Sequence, residues 1–411
     1  MTQTESIPTT FDPGGTADPY TTYSRMRDAD PVHHVRLPDG ADLWLVTRYA
    51  EARRALADPR LSKNPANAAP QWQAVAVQPS DGEDTSLVRH MLNADPPDHS
   101  RLRRLVLKAF TAGRVDALRP RIQAITDGLL DDVAGAARDG GPVDLVDTFA
   151  FPLPITVICE LLGVPLDEQA SLHRWSQALS TLVADAEALA AVGRAAAELS
   201  EYLSVLIARK EREPGEDLLS ALIAARDEGQ RLDHGELTAM GFLLIVGGHE
   251  TTVHLISNTV YALLRHPEHL TAVRADPSLV PKVVEESLRW EGSIAAATWR
   301  FALETIEDYG GTPIPAGAPV LVSLAAADRD PTQFADPDRF DPYRKTQGHL
   351  AFGHGIHYCM GAPLARMQAQ VAVTSVLARY PDLRLAVPVD ELRWRDGMLI
   401  RGVHALPVHV R

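Results

Sequence analysis

Phe352-Gly353-His354-Gly355-Ile356-His357-Tyr358-Cys359-Met360-Gly361 is the stretch on which the reading of this chain turns. It carries one of only two cysteines in 411 residues, set among three glycines. Glycine is what a chain needs to take φ > 0 or to lie flat against a ligand. Pro363 follows, then the helical pattern Leu364-Ala365-Arg366-Met367, so Cys359 is expected in a tight loop just before a helix N-terminus. Unpaired backbone N–H groups and the positive end of the helix dipole favour a thiolate there. Such a thiolate is either a nucleophile or the axial ligand of a haem iron, and the bland alternative is a buried cysteine in an ordinary turn.

Spacing separates these. Phe-Gly-x-Gly-x-His-x-Cys-x-Gly resembles the haem-ligand signature of the cytochrome P450 monooxygenases and matches it at every defined position. The resemblance covers nearly the whole chain. It implies that Cys359 ligates the iron of haem b (iron protoporphyrin IX) and that Phe352 packs beside the sulfur. Gly353 and Gly361 would let the backbone come close, and His357 would hydrogen-bond a propionate. The fold so implied is mainly α with small β-sheets, with a long central helix across the haem. Residues 1–18 would be an arm, and 19–411 one domain with a helix-rich and a smaller strand-rich part.

Composition sets outer bounds. A net charge of −14 argues against nucleic acid as a partner. The two cysteines are too far apart in sequence to suggest a disulfide framework, and Cys159 lies in Ile155–Leu162, which reads as a core helix. Residues 1–15 are polar with no apolar run, so no secretion signal is expected. No stretch approaches the ~18 apolar residues of a membrane span. A soluble, cytoplasmic protein is expected, without a fused reductase.

Along the chain, helices are expected near 19–29 and 49–57, with a hairpin of Val32–Leu37 and Leu43–Thr47 turning at Pro38-Asp39-Gly40. Residues 60–98 are polar and proline-rich, and so long a loop is usually functional. In the family this region covers the substrate pocket. In Ser100–Phe110 the helical repeat puts Leu102, Leu105, Val106, Leu107 and Phe110 on one face, with His99 and Arg103 in its middle. A charge in an apolar stripe must be paired. An internal carboxylate would suffice, but Asp95-Pro-Pro-Asp-His-Ser-Arg-Leu-Arg-Arg resembles the family's propionate-binding segment, which assigns both residues to haem propionates. Further helices are expected over 115–137, 157–162, 172–179, 189–210 and 217–226, with a link at Ser180–Glu187 over the pocket mouth.

The central helix should start at a capping box, Asp233-His-Gly-Glu236, and run to Arg265, roughly 50 Å. Within it lies Gly247-Gly248-His249-Glu250-Thr251-Thr252. Two mid-helix glycines cost about 1 kcal/mol each. They suit either close helix packing around a polar cluster or a bulge where a ligand meets the backbone. The hexamer resembles the family's oxygen-activation motif, which implies that Thr251 hydrogen-bonds dioxygen and Glu250 relays protons; His249 reads as structural. Farther on, the resemblance makes Glu286 and Arg289 a core ion pair completed by Arg339, and Arg300 a third propionate partner. Asp328 stands where the family more often has asparagine. Helices are expected at 280–290 and 363–379. Ser293–Ala297 suits a pocket wall, and Gly397–Ile400 a turn into the pocket.

The resemblance implies a haem-thiolate monooxygenase that hydroxylates an apolar small molecule of polyketide, macrolide, steroid or terpenoid class with O2. Substrate contacts are expected from Leu87, Met91, Leu92, Leu244, Gly248, Ala295, Ala296 and Leu399. NAD(P)H would act only indirectly, through a reductase and a separate ferredoxin docking near Arg101, Arg104, Lys108 and Arg366. The alternatives are a peroxide-driven oxygenase and a haem-thiolate binding or sensing protein without turnover; Glu250 and Thr251 speak against both.

Overall fold

The capping box at the head of the long helix forms as its residues imply. The Glu236 N–H donates to Asp233 Oδ1 at 2.7 Å, and the Asp233 N–H donates to Glu236 Oε2 at 3.0 Å. From there the helix runs His234–Arg265 without a break in this computed structural model, which describes residues 18–37, 42–70, 87–179 and 186–411. By length and apolar composition it could cross a membrane, but most of it is buried inside the protein, as in a core helix. It ends ahead of Pro267, which opens a further helix, Pro267–Ala275, at the position proline tolerates best. That helix is not anticipated by the sequence reading.

Among the described residues the architecture is mainly helical with two small sheets. The strands are β1 (Val32–Arg36), β2 (Asp42–Val46), β3 (Leu61–Ser62), β4 (Val143–Asp144), β5 (Arg300–Ala302), β6 (Pro319–Val322), β7 (Arg384–Leu385) and β8 (Pro407–His409). The chain divides into two compact units. The first comprises Met1–Gln78, Tyr261–Met360 and Pro388–His404, and the second Pro79–Val260, Gly361–Val387 and Ala405–Arg411.

The first unit holds the five-stranded sheet, ordered β1-β2-β6-β5-β3. The expected hairpin is present: β1 and β2 pair antiparallel from Val32↔Val46 to Arg36↔Asp42, and Arg36 Nε meets Asp42 Oδ1 at 2.9 Å. β2 then pairs parallel with β6. Alternation along β2 and β6 feeds two cores. Val46, Val320 and Val322 join one with Leu61, Ile306 and Leu324, while Leu43, Leu45 and Leu321 join another with Tyr20, Tyr23 and Phe301. Each buried leucine contributes about 1.5–3 kcal/mol by leaving water.

The second unit holds most of the long helices and the three-stranded sheet β4-β8-β7. Two expectations change here. The helix expected over 115–137 is two, Ala112–Ala117 and Arg119–Ala136, broken at Leu118. Pro120 has no N–H to give the carbonyl four residues back, so the helix restarts. Leu107, expected on the buried face of its helix, is 44% exposed. The arm (except Asp18), the hairpin turn at Pro38-Asp39-Gly40, residues 71–86 of the long loop and most of the Ser180–Glu187 link lie outside the described residues.

Candidate functional site

In the first unit the cysteine loop folds on itself. Gly353 and Gly355 take φ of 74° and 75°, the left-handed region that a side chain resists. These reversals let the Cys359 N–H donate to the Phe352 carbonyl at 2.9 Å and the Gly353 N–H to the Leu350 carbonyl at 2.7 Å. Gly355 also packs so close to Leu56 and Ala57 that a Cβ there would lie 3.1 Å from both. The product is a stiff loop that leaves Cys359 exposed, with Phe352 and His357 half-buried. Cys159 is the opposite case: burial, with the Glu160 charge second, pushes its thiol up to about 12. It is an inert core residue.

A buried brace stands behind this loop. Glu286 and Arg289 are fully buried and joined by two 2.8 Å bonds. Arg289 Nη1 also donates to the carbonyls of Asp328 and Pro337 at 2.9 and 2.8 Å. The third side chain is not Arg339, as the sequence reading has it, but Arg344, whose Nε reaches Glu286 Oε1 at 3.0 Å. Arg339 contributes only its carbonyl, which accepts from Arg289 and Arg344. Asp328 carries the brace to the loop: its buried Oδ1 accepts the Leu350 N–H at 2.7 Å.

The second unit holds the other predicted groups. His99 is buried and Arg103, one turn on, half-buried. Burial and then the Arg103 charge lower the His99 pKa, with Asp95 opposing, so His99 is a neutral N–H donor at neutral pH. In the central helix no bulge occurs at Gly247–Thr252; the backbone is continuous α-helix. A Cβ on Gly248 would lie 2.7 Å from Ile158 Cδ1, the tip of a side chain that would have to shift, so the glycine packs closely against the Pro152–Leu162 helix. His249 is structural, as read: Nδ1 meets Ser176 Oγ at 2.5 Å and Nε2 meets the Phe151 carbonyl at 3.1 Å. Burial lowers its pKa to about 4, so it is neutral.

Glu250 is buried, and its Oε1 lies 3.9 Å from Nε2 of His254, one turn on and also buried. The sequence reading missed His254, although a histidine four residues after a buried acid is a visible signal. Thr251 is half-buried, and its hydroxyl donates to the Gly247 carbonyl at 2.8 Å.

The Cytochrome P450 family model matches residues 73–383. The chain belongs to that family. The cytochrome P450 monooxygenase PikC of Streptomyces venezuelae is 50% identical over 396 residues, covering 96% of this chain and 92% of PikC. The 6-deoxyerythronolide B hydroxylase of Saccharopolyspora erythraea is 46% identical over 398 residues, covering 96% of each. The solved structure of the tirandamycin C-bound P450 monooxygenase TamI superposes with a TM-score of 0.86 at 45% identity, covering 98% of this chain and all of TamI. This cytochrome P450 is accordingly an oxidoreductase that uses haem b, with NADPH electrons arriving through redox partners.

The donor set fits that cofactor. The first unit offers one exposed thiol, the His357 imidazole and the buried Arg300 guanidinium; the second offers His99 and Arg103. In the first unit the soft ligand suits an iron and the two N–H donors a propionate; in the second, His99 and Arg103 likewise suit a propionate. Arg300 donates to the Thr298 and Leu56 carbonyls at 3.3 and 3.5 Å. Gly361 is the N-cap of the Ala362–Arg379 helix with φ −78°, so its backbone asks for no glycine.

Among the expected substrate contacts, the first unit brings Ala295 and Leu399 together: the Ala295 N–H donates to the Leu399 carbonyl at 2.8 Å. Ala296, 3% exposed, packs with Tyr20, Tyr23 and Phe301, so it is a core residue; Ile294 and Ala297 are its half-buried neighbours. In the second unit Leu87, Leu92 and Leu244 are half-buried, and Met91 is buried. Of the expected docking cations, Arg104 and Lys108 are exposed but both bind Asp227 at 2.7 Å. Arg101 does not face solvent as expected: it is ion-paired with the capping Glu236. Arg366 is half-buried.

Proposed function

We propose that this cytochrome P450 inserts one oxygen atom of O2 into an apolar molecule of polyketide or macrolide type, in the cytoplasm, with electrons from a separate ferredoxin. Cys359 is the iron ligand in this reading. The observation that carries it is the exposed cysteine on a glycine-reversed, braced loop, whereas burial has made the thiol of the other cysteine, Cys159, inert. Haem supplies the oxidising chemistry, and a thiolate ligand favours O–O cleavage. The names of a 6-deoxyerythronolide B hydroxylase and a tirandamycin C-bound monooxygenase among the relatives support the substrate class.

The chain's own residues have separate tasks. Arg300, Arg103, His99 and His357 hold the propionates, the first two as cations and neutral His99 as an N–H donor. Thr251 already donates its proton to Gly247, so its oxygen presents lone pairs that accept from a water or other proton donor. Glu250 supplies protons from a buried position, with His254 behind it. Half-buried Leu87, Leu92, Leu244, Ile294, Ala297 and Leu399 contribute apolar surface for the substrate.

Turnover driven by ferredoxin, reductase and NADPH, set against turnover on hydrogen peroxide, tests the reading. The wild type should hydroxylate through the reductase chain. Thr251→Ala should still consume NADPH but release hydrogen peroxide, and Glu250→Gln should slow oxygen-dependent turnover. Equal turnover on peroxide alone would indicate a peroxide-driven oxygenase, and full coupling in Thr251→Ala would refute its role. A macrolide and polyketide panel, with steroids and terpenoids as the competing classes, identifies the substrate by its spin shift.

A further inference from the structure

A second buried ion pair lies in the first unit, apart from the brace. Glu291 ends the segment after the Val280–Trp290 helix, and Arg401 follows the turn that carries Leu399. Arg401 Nε donates to Glu291 Oε1 at 2.9 Å, with side chains only 5% and 3% exposed. The Tyr20 hydroxyl donates to the same oxygen. Burial would lower the Arg401 pKa, but Glu291 and Tyr20 outweigh it and raise it, so the guanidinium stays charged. Two cation–π contacts fix the side chains laterally: Arg401 lies 3.8 Å from the Trp394 ring centre and Arg329 lies 3.2 Å from that of Tyr20.

The backbone on either side explains what this network holds. Residues 293–297 are anchored to β6 and the turn after it: Ala297 N–H donates to the Val322 carbonyl at 2.9 Å, and Ala325 N–H to the Ala295 carbonyl at 3.0 Å. Ala296 is bridged to Ser323. On the opposite edge, the Leu399 turn is attached by two backbone bonds, Arg401 N–H to the Ser293 carbonyl at 2.9 Å and Ala295 N–H to the Leu399 carbonyl at 2.8 Å. Gly397 turns the tip with φ 111°. One edge is held by the sheet; the other is held by these two backbone bonds, the Ile294–Ile400 bridge and the Glu291–Arg401 pair.

We propose that the Tyr20–Glu291–Arg401 network sets the position of the Leu399 turn along residues 293–297, and so determines how bulky an apolar substrate this wall admits. The three are positioning residues: they touch the wall's backbone and not the substrate. The inference rests on the reading of Leu399 and Ala297 as substrate-facing. Nothing in the family signature calls for a tyrosine from the Tyr20–Ala29 helix at this point; it is the juxtaposition of three chain segments on one carboxylate oxygen that carries the argument.

Tyr20→Phe is the decisive variant, because it removes one hydrogen bond from Glu291 and keeps the ring under Arg329. Two readouts are taken on the haem-loaded protein: amide exchange at Ala295 and Arg401, and the ratio of the dissociation constants of imidazole and 4-phenylimidazole, which differ in bulk. Losing a hydrogen bond to a charged group should speed exchange at both amides roughly tenfold. The azole ratio should change about three- to tenfold, as for a small misfit in an apolar pocket. Arg401→Lys should lie between wild type and Tyr20→Phe or beyond it in the same direction. Unchanged exchange, or faster exchange with an unchanged ratio, overturns the proposal. So does loss of the carbon monoxide band in Tyr20→Phe, which would make the network a support for haem binding as a whole. Ala297→Phe in the otherwise wild-type protein separates the two readings. If it leaves the ratio unchanged, the assignment of the wall is at fault; if it changes the ratio and Tyr20→Phe does not, the network is.

Discussion

Replacing Asp328 by asparagine should stabilise the protein at alkaline pH and do so less as the pH falls. The Asp328 side chain is almost wholly buried and accepts the Leu350 N–H at 2.7 Å. Burial above all pushes its carboxyl from 3.8 up to about 7, although His349, the Leu350 N–H and Arg289 all favour the charged form. The folded chain therefore holds this proton over a range where the unfolded chain has lost it. The stability it contributes is complete below the unfolded value and is lost as the pH rises through the folded value. At about 1.4 kcal/mol per pKa unit, the charged carboxylate costs up to about 4 kcal/mol by pH 8. Asparagine keeps the acceptor for Leu350 and carries no charge. The advantage of Asp328→Asn should thus grow by about 2 kcal/mol between pH 5.5 and pH 8. Denaturant unfolding of both proteins at the two pH values measures it. An asparagine variant that is less stable at pH 8, or whose advantage is the same at both values, would refute the reasoning.

Cys359→His should abolish the red-shifted carbon monoxide band of the reduced protein, and Cys159→Ala should keep it; a thiol alkylating reagent on the haem-free protein should mark Cys359 alone. Arg344→Ala should destabilise by about 1.5–3 kcal/mol, because it removes one charged partner from the buried Glu286 while Arg289 still pairs it, whereas Arg339→Ala, which keeps the carbonyl, should cost much less in the same unfolding experiment. If the ferredoxin docks on Arg104 and Lys108, charge reversal of both to Glu should slow reduction in stopped flow and flatten its salt dependence. Asp227→Asn, which releases both cations, should speed reduction at low salt; identical rates in the two variants and the wild type would rule out this face.

What the sequence made legible is local. The capping box, the glycine-reversed cysteine loop and the hairpin each involve residues a few positions apart, and pattern and propensity decide them; that the Glu-x-x-Arg pair is buried came from the resemblance. What it hid are partners. Gly248 reads as a place where a ligand meets the backbone, but the side chain it packs closely against, Ile158, lies ninety positions away. Helical periodicity directs Arg101, Arg104 and Lys108 away from the apolar face, but it says nothing of Asp227 and Glu236, which take up their charge. Two arginines follow Asp338 within reach of the brace, and the chain path alone selects Arg344 over Arg339. The same reason hid the Tyr20–Glu291–Arg401 network, whose members are scattered over 381 positions and meet on one oxygen atom. Long-range pairs of this kind are buried, so each carries a desolvation cost that only its partners offset. A charged residue's face can be read from its own segment; its role depends on the segment it meets. The resemblance that located the cysteine loop also placed Arg339 in the brace, because a match along the chain does not tell which of two neighbouring arginines the fold turns toward Glu286.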